Sequence, residues 1–325
     1  MLGWDISSSR AAAAMLPSSA DFTKYVSCLV FMMLVPIGVA YTCYTVFFVF
    51  SPRSFSYAGG RINMTGKDHM KNQDYYFDRP LKYSPEEWKA RQDLACMYRI
   101  FDHLNWDESI YNHISLRVPG EQDHFLINPF GLHYSEVRAS NLVKIDIDGN
   151  IIGDSDWPIN PAGFTFHSAI HKHVPDGHCI MHVHTTPTLA VCCLEEGLSF
   201  TNFYSAQLYN QVAYHDFEGI TVRMDEGDRI VASSEGKKIL LLKNHGPVII
   251  GADLPQAFSL MWLLNRACEV QLASMSMGKT LEIPEPVLER CARDTPLFNP
   301  KYGSGRDAVA ALERLIEKKD PSYKY

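Results

Sequence analysis

A long uncharged stretch near the N-terminus limits how this chain can fold more than any other feature. Residues 25–50 read YVSCLVFMMLVPIGVAYTCYTVFFVF, 26 residues without a charged side chain, His, Asn or Gln. A helix of about 20 such residues crosses the hydrocarbon layer of a bilayer. The apolar regions of signal peptides run only about 7–15 residues, which is much shorter. The stretch therefore predicts one transmembrane helix over 25–50, preceded by an N-terminal segment at 1–24.

The basic residues that flank this stretch indicate its orientation. Four follow it between positions 53 and 71, whereas two precede it together with Asp5 and Asp21. Loops rich in Lys and Arg stay on the cytoplasmic side of a membrane. We therefore expect a single-pass membrane protein of the mitochondrial inner membrane or an endomembrane. Its soluble part would lie on the cytosolic or matrix side, and the lipid bilayer is its first expected partner.

Composition narrows the class of the remaining chain. Hydrophobic residues make up 46% of the 325, and 30 Lys and Arg face 37 Asp and Glu. These values are typical of a globular protein, and a net charge of -7 argues against a nucleic-acid partner. The 8 cysteines include no C-x-x-C pair, so we interpret them as reduced thiols.

After a polar linker or membrane-proximal arm at 51–83, the folded domain is predicted over 84–325. Ser84-Pro85-Glu86-Glu87 has the order of a helix N-cap, a first-turn proline and a capping glutamate. Short strand-like segments and hairpin turns then alternate with amphipathic helices. This pattern predicts a layered α/β domain with a mixed or largely antiparallel sheet.

Three histidines form the most informative pattern in this domain. His182 and His184 stand two residues apart on a predicted strand, so their imidazoles project from the same face. His245 lies in N-H-G at the tip of a predicted hairpin. Three neutral imidazoles with an open position make a catalytic divalent-metal site. From spacing alone, half-exposed strand histidines without a metal are favoured over the metal site.

Several separated motifs resemble one family. P-D-x-x-x-x-M-H-V-H-T at 175–185, V-A-Y-H-D-F-E-G-I at 212–220 and L-L-L-K-N-H-G-P-V at 240–248 are similar to the class II aldolase and adducin N-terminal domain family, closest to its adducin-like branch. The resemblance implies a three-layer α/β/α sandwich that assembles into homo-oligomers, up to tetramers. It also implies that His182, His184 and His245 bind a divalent metal, zinc first, with manganese or iron as alternatives.

The chain departs from the family's sugar-phosphate aldolases at the residues that perform their chemistry. The resemblance places Gly163 where those enzymes carry a glutamate as general acid and base, nineteen residues before His182. Pro161 and Ala162 stand where two serines hold phosphate, and Asn128-Pro129-Phe130-Gly131 carries an aromatic in the phosphate loop. A glycine has no titratable group, so it cannot remove a proton. The resemblance thus implies a site without its base and its phosphate pocket.

Other side chains are candidates for the missing proton transfer. His167 stands one turn after Gly163 on a predicted helix, so we expect it to face the same cleft. Tyr209 and His215 are the other two candidates for catalytic residues. Acidic alternatives are Glu195, Glu196 and Asp216.

Three functions follow from these patterns. The first is a membrane-anchored, metal-dependent lyase of decarboxylase or aldol type that acts on a non-phosphorylated substrate. The second is a catalytically silent domain that serves as an accessory or structural subunit of a membrane complex, with a mitochondrial complex among the candidates. The third is an adducin-like membrane-skeleton adaptor, which we favour least because the sequence ends at Tyr325 without a long basic tail.

Overall fold

A computed structural model describes residues 31–37, 40–46, 80, 82–298 and 303–325. The chain divides into two compact units, residues 1–73 and 74–325. The predicted N-terminal segment at 1–24 and nearly all of the predicted arm at 51–83 lie outside the described residues.

The first unit contains an antiparallel strand pair where a helix was predicted. β1 (Phe31–Ile37) pairs with β2 (Ala40–Val46). None of the helices in the described ranges is long and apolar enough to cross a membrane, so the transmembrane helix over 25–50 is not found. An apolar run rich in Val, Phe, Tyr and Thr also suits a strand, and Pro36 disfavours a helix interior. Hydropathy alone does not separate these two outcomes. The other residues of 25–50 lie outside the described ranges, and attachment to a membrane stays a prediction.

The second unit is built on one seven-stranded sheet. In chain order its strands are β3 (His113–Arg117), β4 (His124–Ile127), β5 (Val143–Asp146), β6 (Cys179–His182), β7 (Val212–His215), β8 (Ile239–Leu242) and β9 (Gly246–Gly251). They lie side by side in the order β5-β4-β3-β6-β9-β8-β7. Neighbouring strands of this sheet are antiparallel except for β7 and β8, which are parallel. The predicted mixed, largely antiparallel sheet is confirmed.

Helices connect these strands, and the first of them begins at the predicted cap. Their bounds are α1 (Pro85–His103), α2 (Pro161–His173), α3 (Thr186–Cys192), α4 (Phe203–Ala206), α5 (Met224–Ser234), α6 (Leu254–Met275), α7 (Glu285–Asp294) and α8 (Arg306–Lys319). The Ser84 hydroxyl accepts a hydrogen bond from the Glu87 amide at 3.0 Å, which satisfies a donor at the start of α1. Asp253 caps α6 in the same way through the Gln256 amide at 2.8 Å.

Both faces of the sheet carry a buried core. Met181 points to one face and packs in a cluster with Leu264 of α6 and residues of α1. Ile180, the preceding residue, points to the other face and packs with Phe166 of α2 and Ile230 of α5. Alternation along a strand thus divides the apolar side chains between two helical layers. Each buried side chain of this size contributes about 1.5–3 kcal/mol, and the α/β fold is the result.

Strand direction brings distant parts of the sequence to one edge of the sheet. β6 and β8 are each antiparallel to β9, so both end at the same edge, and β7 ends there because it is parallel to β8. β3 is antiparallel to β6 and therefore begins at this edge. The turn between β8 and β9 lies there as well. Four chain segments far apart in sequence can therefore contribute to one site.

A buried ion network ties α1 to the sheet. Glu87 accepts from Arg91 Nε at 2.8 Å and from Lys144 Nζ of β5 at 3.1 Å. The side chains of Glu87 and Arg91 are 7% and 3% exposed. Arg91 also donates to the Leu142 carbonyl at 2.8 Å. Glu87 is the acid that offsets the charge of Arg91, and it shares Lys144 with Glu121, which lies 2.8 Å from Lys144 Nζ.

We expect Glu87→Ala to lower the free energy of unfolding by about 3 kcal/mol, because it leaves the buried Arg91 without its counter-ion. The matched control is Glu86→Ala, since Glu86 is the exposed neighbour in the same helical turn. Urea unfolding of both variants measures the difference. Equal stability of the two variants would contradict a structural role for the network.

Candidate metal centre

Three imidazoles meet at the sheet edge described above. His182 is the last residue of β6 and His184 follows two residues later, so both side chains lie on the same side of the chain. Their Nε2 atoms are 2.8 Å apart. His245 comes from the turn between β8 and β9, and its ring centroid lies 4.9 Å from that of His182 and 5.1 Å from that of His184. One ligand atom from each residue of this three-histidine cluster falls within 4.8 Å of the other two.

The N-H-G sequence is needed for this close approach. Asn244 has a φ of 59°, a left-handed conformation that asparagine tolerates better than most residues. A Cβ atom at Gly246 would lie 2.8 Å from the Val183 carbonyl oxygen and 3.0 Å from the His184 ring. Only glycine lets the start of β9 pass this close to the end of β6. The turn thereby carries His245 to its two partners.

Hydrogen bonding and burial prepare these imidazoles as ligands. The Pro247 carbonyl lies 2.9 Å from His182 Nδ1, so it accepts the Nδ1 proton and leaves Nε2 with its lone pair. Burial holds the pKa of His182 well below its usual range and lowers the pKa of His184. It also lowers the pKa of His245 to about 4. At neutral pH all three rings are uncharged, which is the form that binds a metal ion.

The imidazole of His113, at the start of β3, lies directly against Gly163. The sequence patterns did not predict a role for His113. A Cβ atom at Gly163 would lie 2.6 Å from His113 Cδ2 and 2.9 Å from its Nε2. The His113 ring also stacks on His182, with centroids 5.1 Å apart and an interplanar angle of 22°. A side chain at position 163 would therefore collide with the His113 imidazole. The only sequence signal was H-I-S-L-R-V, a plain strand pattern.

His167 does not face the cleft as expected. It is fully buried, with its Nε2 2.9 Å from His113 Nδ1 and its Nδ1 2.6 Å from the Ser115 hydroxyl. His113 stands between His167 and the three-histidine cluster, because the ring of His113 contacts both His167 and His182. The helical spacing after Gly163 was correct, but the strand behind the helix supplies the residue that reaches the site.

The other two predicted catalytic residues lie farther from the cluster. His215 ends β7 at the same sheet edge, where its Nδ1 lies 2.9 Å from Ser233 Oγ. Strands β8 and β9 separate it from β6, a distance of about 14 Å at the usual strand spacing. Tyr209 precedes β7 and so lies at the opposite edge, where its hydroxyl donates to Glu285 at 2.9 Å. No contact within the described residues joins Tyr209 or His215 to the cluster, so their catalytic roles stay predictions.

Glu108 is a carboxylate near the cluster that the sequence patterns did not identify. It lies in the loop between α1 and β3, and its negative charge raises the pKa of His184 against the larger lowering effect of burial. The predicted acids have other surroundings. Glu195 and Glu196 are exposed, and Asp216 pairs with Lys243 at 2.7 Å.

A second group of potential metal ligands, Asp102, Asp107 and His133, lies nearer the surface. Both nitrogens of His133 already have partners. Its Nε2 is 2.9 Å from Asp107 Oδ2, and its Nδ1 is 2.8 Å from Ser135 Oγ. The only imidazole of this group is therefore held at both nitrogens by hydrogen bonds to its neighbours.

Comparison with known proteins agrees with this geometry. The family model for the class II aldolase and adducin N-terminal domain matches residues 92–272. A Caulobacter vibrioides protein named "Putative aldolase class 2 protein" is 40% identical over 247 residues, which cover 74% of this chain and 94% of that protein. A crystal structure of an aldolase II superfamily protein from Pseudomonas syringae superposes with a TM-score of 0.70 at 37% identity. It covers 75% of this chain and 98% of that one.

Alpha-adducin of Rattus norvegicus is similar as well, at 42% identity over 253 residues. That match covers 73% of this chain but 34% of alpha-adducin, so the chain spans about a third of its length. The family model covers more than half of the 325 residues, and the aldolase class 2 relative is covered almost completely. This chain therefore belongs to the class II aldolase and adducin N-terminal domain family.

Proposed function

We propose that this protein is a metal-dependent lyase that acts on a non-phosphorylated carbonyl or carboxylate substrate. His182, His184 and His245 would hold a divalent ion, zinc first and manganese or iron as alternatives. The observation that carries the proposal is the convergence of the three imidazoles within 4.8 Å, with the His182 tautomer fixed by the Pro247 carbonyl. Carbonyl groups behind ligating histidines are a regular part of metal sites.

The site's own residues restrict the chemistry. A divalent ion bound there would polarise a substrate carbonyl and stabilise the negative charge that develops on its oxygen. Neither Gly163 nor the apolar Ala162 is able to take a proton from carbon. Decarboxylation needs no such base, because the carbon–carbon bond breaks, carbon dioxide leaves, and the electron pair moves onto the carbonyl oxygen. Protonation of the resulting carbanion then completes the reaction. We therefore favour decarboxylation over aldol cleavage.

The same residues support a substrate without phosphate. Pro161 and Ala162 offer no hydroxyl at the start of α2. Asn128 is committed to the fold, since its carboxamide oxygen accepts from Tyr98 at 2.9 Å and its nitrogen lies 3.4 Å from the Asn112 carbonyl. Binding a phosphate group requires hydrogen-bond donors or cations. Glu108 instead adds a negative charge, which repels phosphate.

A catalytically silent domain is the second candidate function. It is favoured by His113, which fills the space next to Gly163. In this case the protein would act as an accessory subunit, and the bilayer, homo-oligomers up to a tetramer and other membrane-complex subunits are its proposed partners. Similarity to alpha-adducin keeps an adaptor role as a third proposal.

Turnover of paired substrates tests these functions. The zinc-loaded full chain is incubated with oxaloacetate for decarboxylation, and with lactaldehyde plus either dihydroxyacetone or its phosphate for aldol chemistry. We expect turnover of a non-phosphorylated substrate, at least about 100-fold above His245→Ala, which removes a ligand. The half-exposed His173 provides the control variant His173→Ala. Preference for the phosphorylated donor would contradict the proposed substrate class, and metal binding without turnover would favour the silent domain.

A further inference from the structure

A continuous chain of hydrogen bonds leads from the interior of the sheet to the three-histidine cluster. Its members are fully or almost fully buried: His171 is 3% exposed, Ser115 and His167 are 0% exposed, and His113 is 2% exposed. Successive polar atoms are 2.8 Å apart from His171 Nε2 to Ser115 Oγ and 2.6 Å apart from Ser115 Oγ to His167 Nδ1. The last link, His167 Nε2 to His113 Nδ1, is 2.9 Å long.

One end of this chain has a fixed direction. His171 Nδ1 lies 2.8 Å from the Gly177 carbonyl oxygen, which accepts hydrogen bonds and cannot donate. His171 therefore carries its proton on Nδ1 and accepts at Nε2 from the Ser115 hydroxyl. With its hydrogen used, Ser115 Oγ accepts from His167 Nδ1. His167 Nε2 must then accept from His113 Nδ1.

These rings are buried, and no carboxylate among the described residues is bonded to them. A buried charge without a partner is costly, so each ring is neutral and has one donor and one acceptor nitrogen. The proton on His113 Nδ1 consequently leaves a bare lone pair on Nε2. Within the described residues no hydrogen bond uses that nitrogen. It lies beside Gly163, 2.9 Å from where a Cβ would stand, and its ring stacks on a cluster histidine.

We propose that His113 determines substrate specificity by accepting, at Nε2, a hydrogen bond from a substrate hydroxyl group next to the three-histidine cluster. The substrate class is then a 3-oxo acid with a hydroxyl group next to its carbonyl, whose two neighbouring oxygens suit a metal ion and whose carbonyl takes the electron pair when carbon dioxide leaves. A phosphate or carboxylate oxygen at this point would meet a lone pair instead of a donor, and this mismatch rejects it. His113 accepts a hydrogen bond here and does not take up the proton. This inference rests on the proposed function.

Two probes that differ in one hydrogen test the inference. Glycolate and methoxyacetate share a carboxylate and a neighbouring oxygen, but only glycolate has a hydroxyl donor. Binding of each to the zinc-loaded full chain is measured by calorimetry. We expect wild type to prefer glycolate by about tenfold, the value of one hydrogen bond in a buried site. In His113→Phe, which keeps a ring without an acceptor, this preference should fall to about twofold or less.

Two further variants keep this test decisive. Ser115→Ala leaves the His113 ring in place but breaks the ordered chain, and we expect its preference to fall to about threefold as the other tautomer becomes populated. His173→Phe is the control for a histidine on α2 outside the chain and should keep the wild-type preference. A preference that is absent in wild type, or unchanged in His113→Phe, would overturn the proposal.

The tautomer is tested separately from metal binding and catalysis. Nitrogen NMR of the metal-free full chain, labelled at histidine, distinguishes protonated from bare ring nitrogens, and His113→Phe identifies the signals. We expect a proton on His113 Nδ1 and none on Nε2. A protonated Nε2 would overturn the specificity proposal even if the protein binds zinc. The expected tautomer in a protein that binds no zinc would instead refute the proposed function alone.

Discussion

Restoring the family's glutamate at position 163 is expected to destabilise the domain by about 2 kcal/mol rather than to create activity. The first added carbon would lie 2.6 to 2.9 Å from three atoms of the His113 ring. The His113 ring cannot move freely, because it is hydrogen-bonded to His167 and stacked on His182. Overpacking of this kind costs about 1–3 kcal/mol or more, and exceeds the gain of about 1 kcal/mol from replacing a helical glycine.

Urea unfolding of the full chain measures this effect. Ala162→Glu is the matched control, because it places the same acid one residue earlier in the first turn of α2. There it is expected to change stability by less than about 1 kcal/mol. Gly163→Glu with wild-type stability would mean that the His113 ring does not block a side chain at position 163, contrary to the geometry.

The double variant Gly163→Glu with His113→Ala locates the cause of the loss. Removing the imidazole frees the space that the glutamate needs, so the two substitutions should be non-additive by at least about 1 kcal/mol. Additive losses would place the strain elsewhere in α2.

Local patterns predicted the parts of the fold that depend on neighbours in sequence. The N-cap Ser84 and the hairpin that holds His245 both appear where the spacing placed them. The stretch at 25–50 shows the limit of such patterns. Its uniform apolarity predicted a helix, but the same residue types also suit β1 and β2.

The site was predictable to the extent that its residues follow strand periodicity. His182 and His184 were placed on one face by their spacing. His113 was not identified, because its position depends on pairing between β3 and β6, which places it opposite a residue 69 positions away in sequence. The separation of Tyr209 from the cluster likewise depends on the direction in which its loop enters β7, which residue types do not encode.

His182→Ala is expected to abolish metal binding. Its Nε2 lies 2.8 Å from that of His184, and its ring contacts all the other histidines of the site. Substitution of a residue that is hydrogen-bonded to a metal ligand already lowers metal affinity about 10–100-fold. Loss of the ligand itself should therefore lower zinc affinity by more than about 100-fold. Calorimetric titration of zinc into the metal-free variant measures the loss.

The control for this prediction is His173→Ala. His173 is a half-exposed histidine on α2, 3.6 Å from Asp228. Its removal should leave zinc affinity within about twofold of wild type, because it is not one of the three ligands. An equal loss of zinc affinity in both variants would indicate that zinc binds nonspecifically to exposed histidines rather than to the three-histidine cluster.

Elemental analysis of the gently purified full chain tests the central claim most directly. A retained metal site predicts one divalent ion per chain in wild type and in His173→Ala, and none in His182→Ala. Wild-type protein that carries no such ion and takes up none from micromolar zinc would contradict the metal-dependent function.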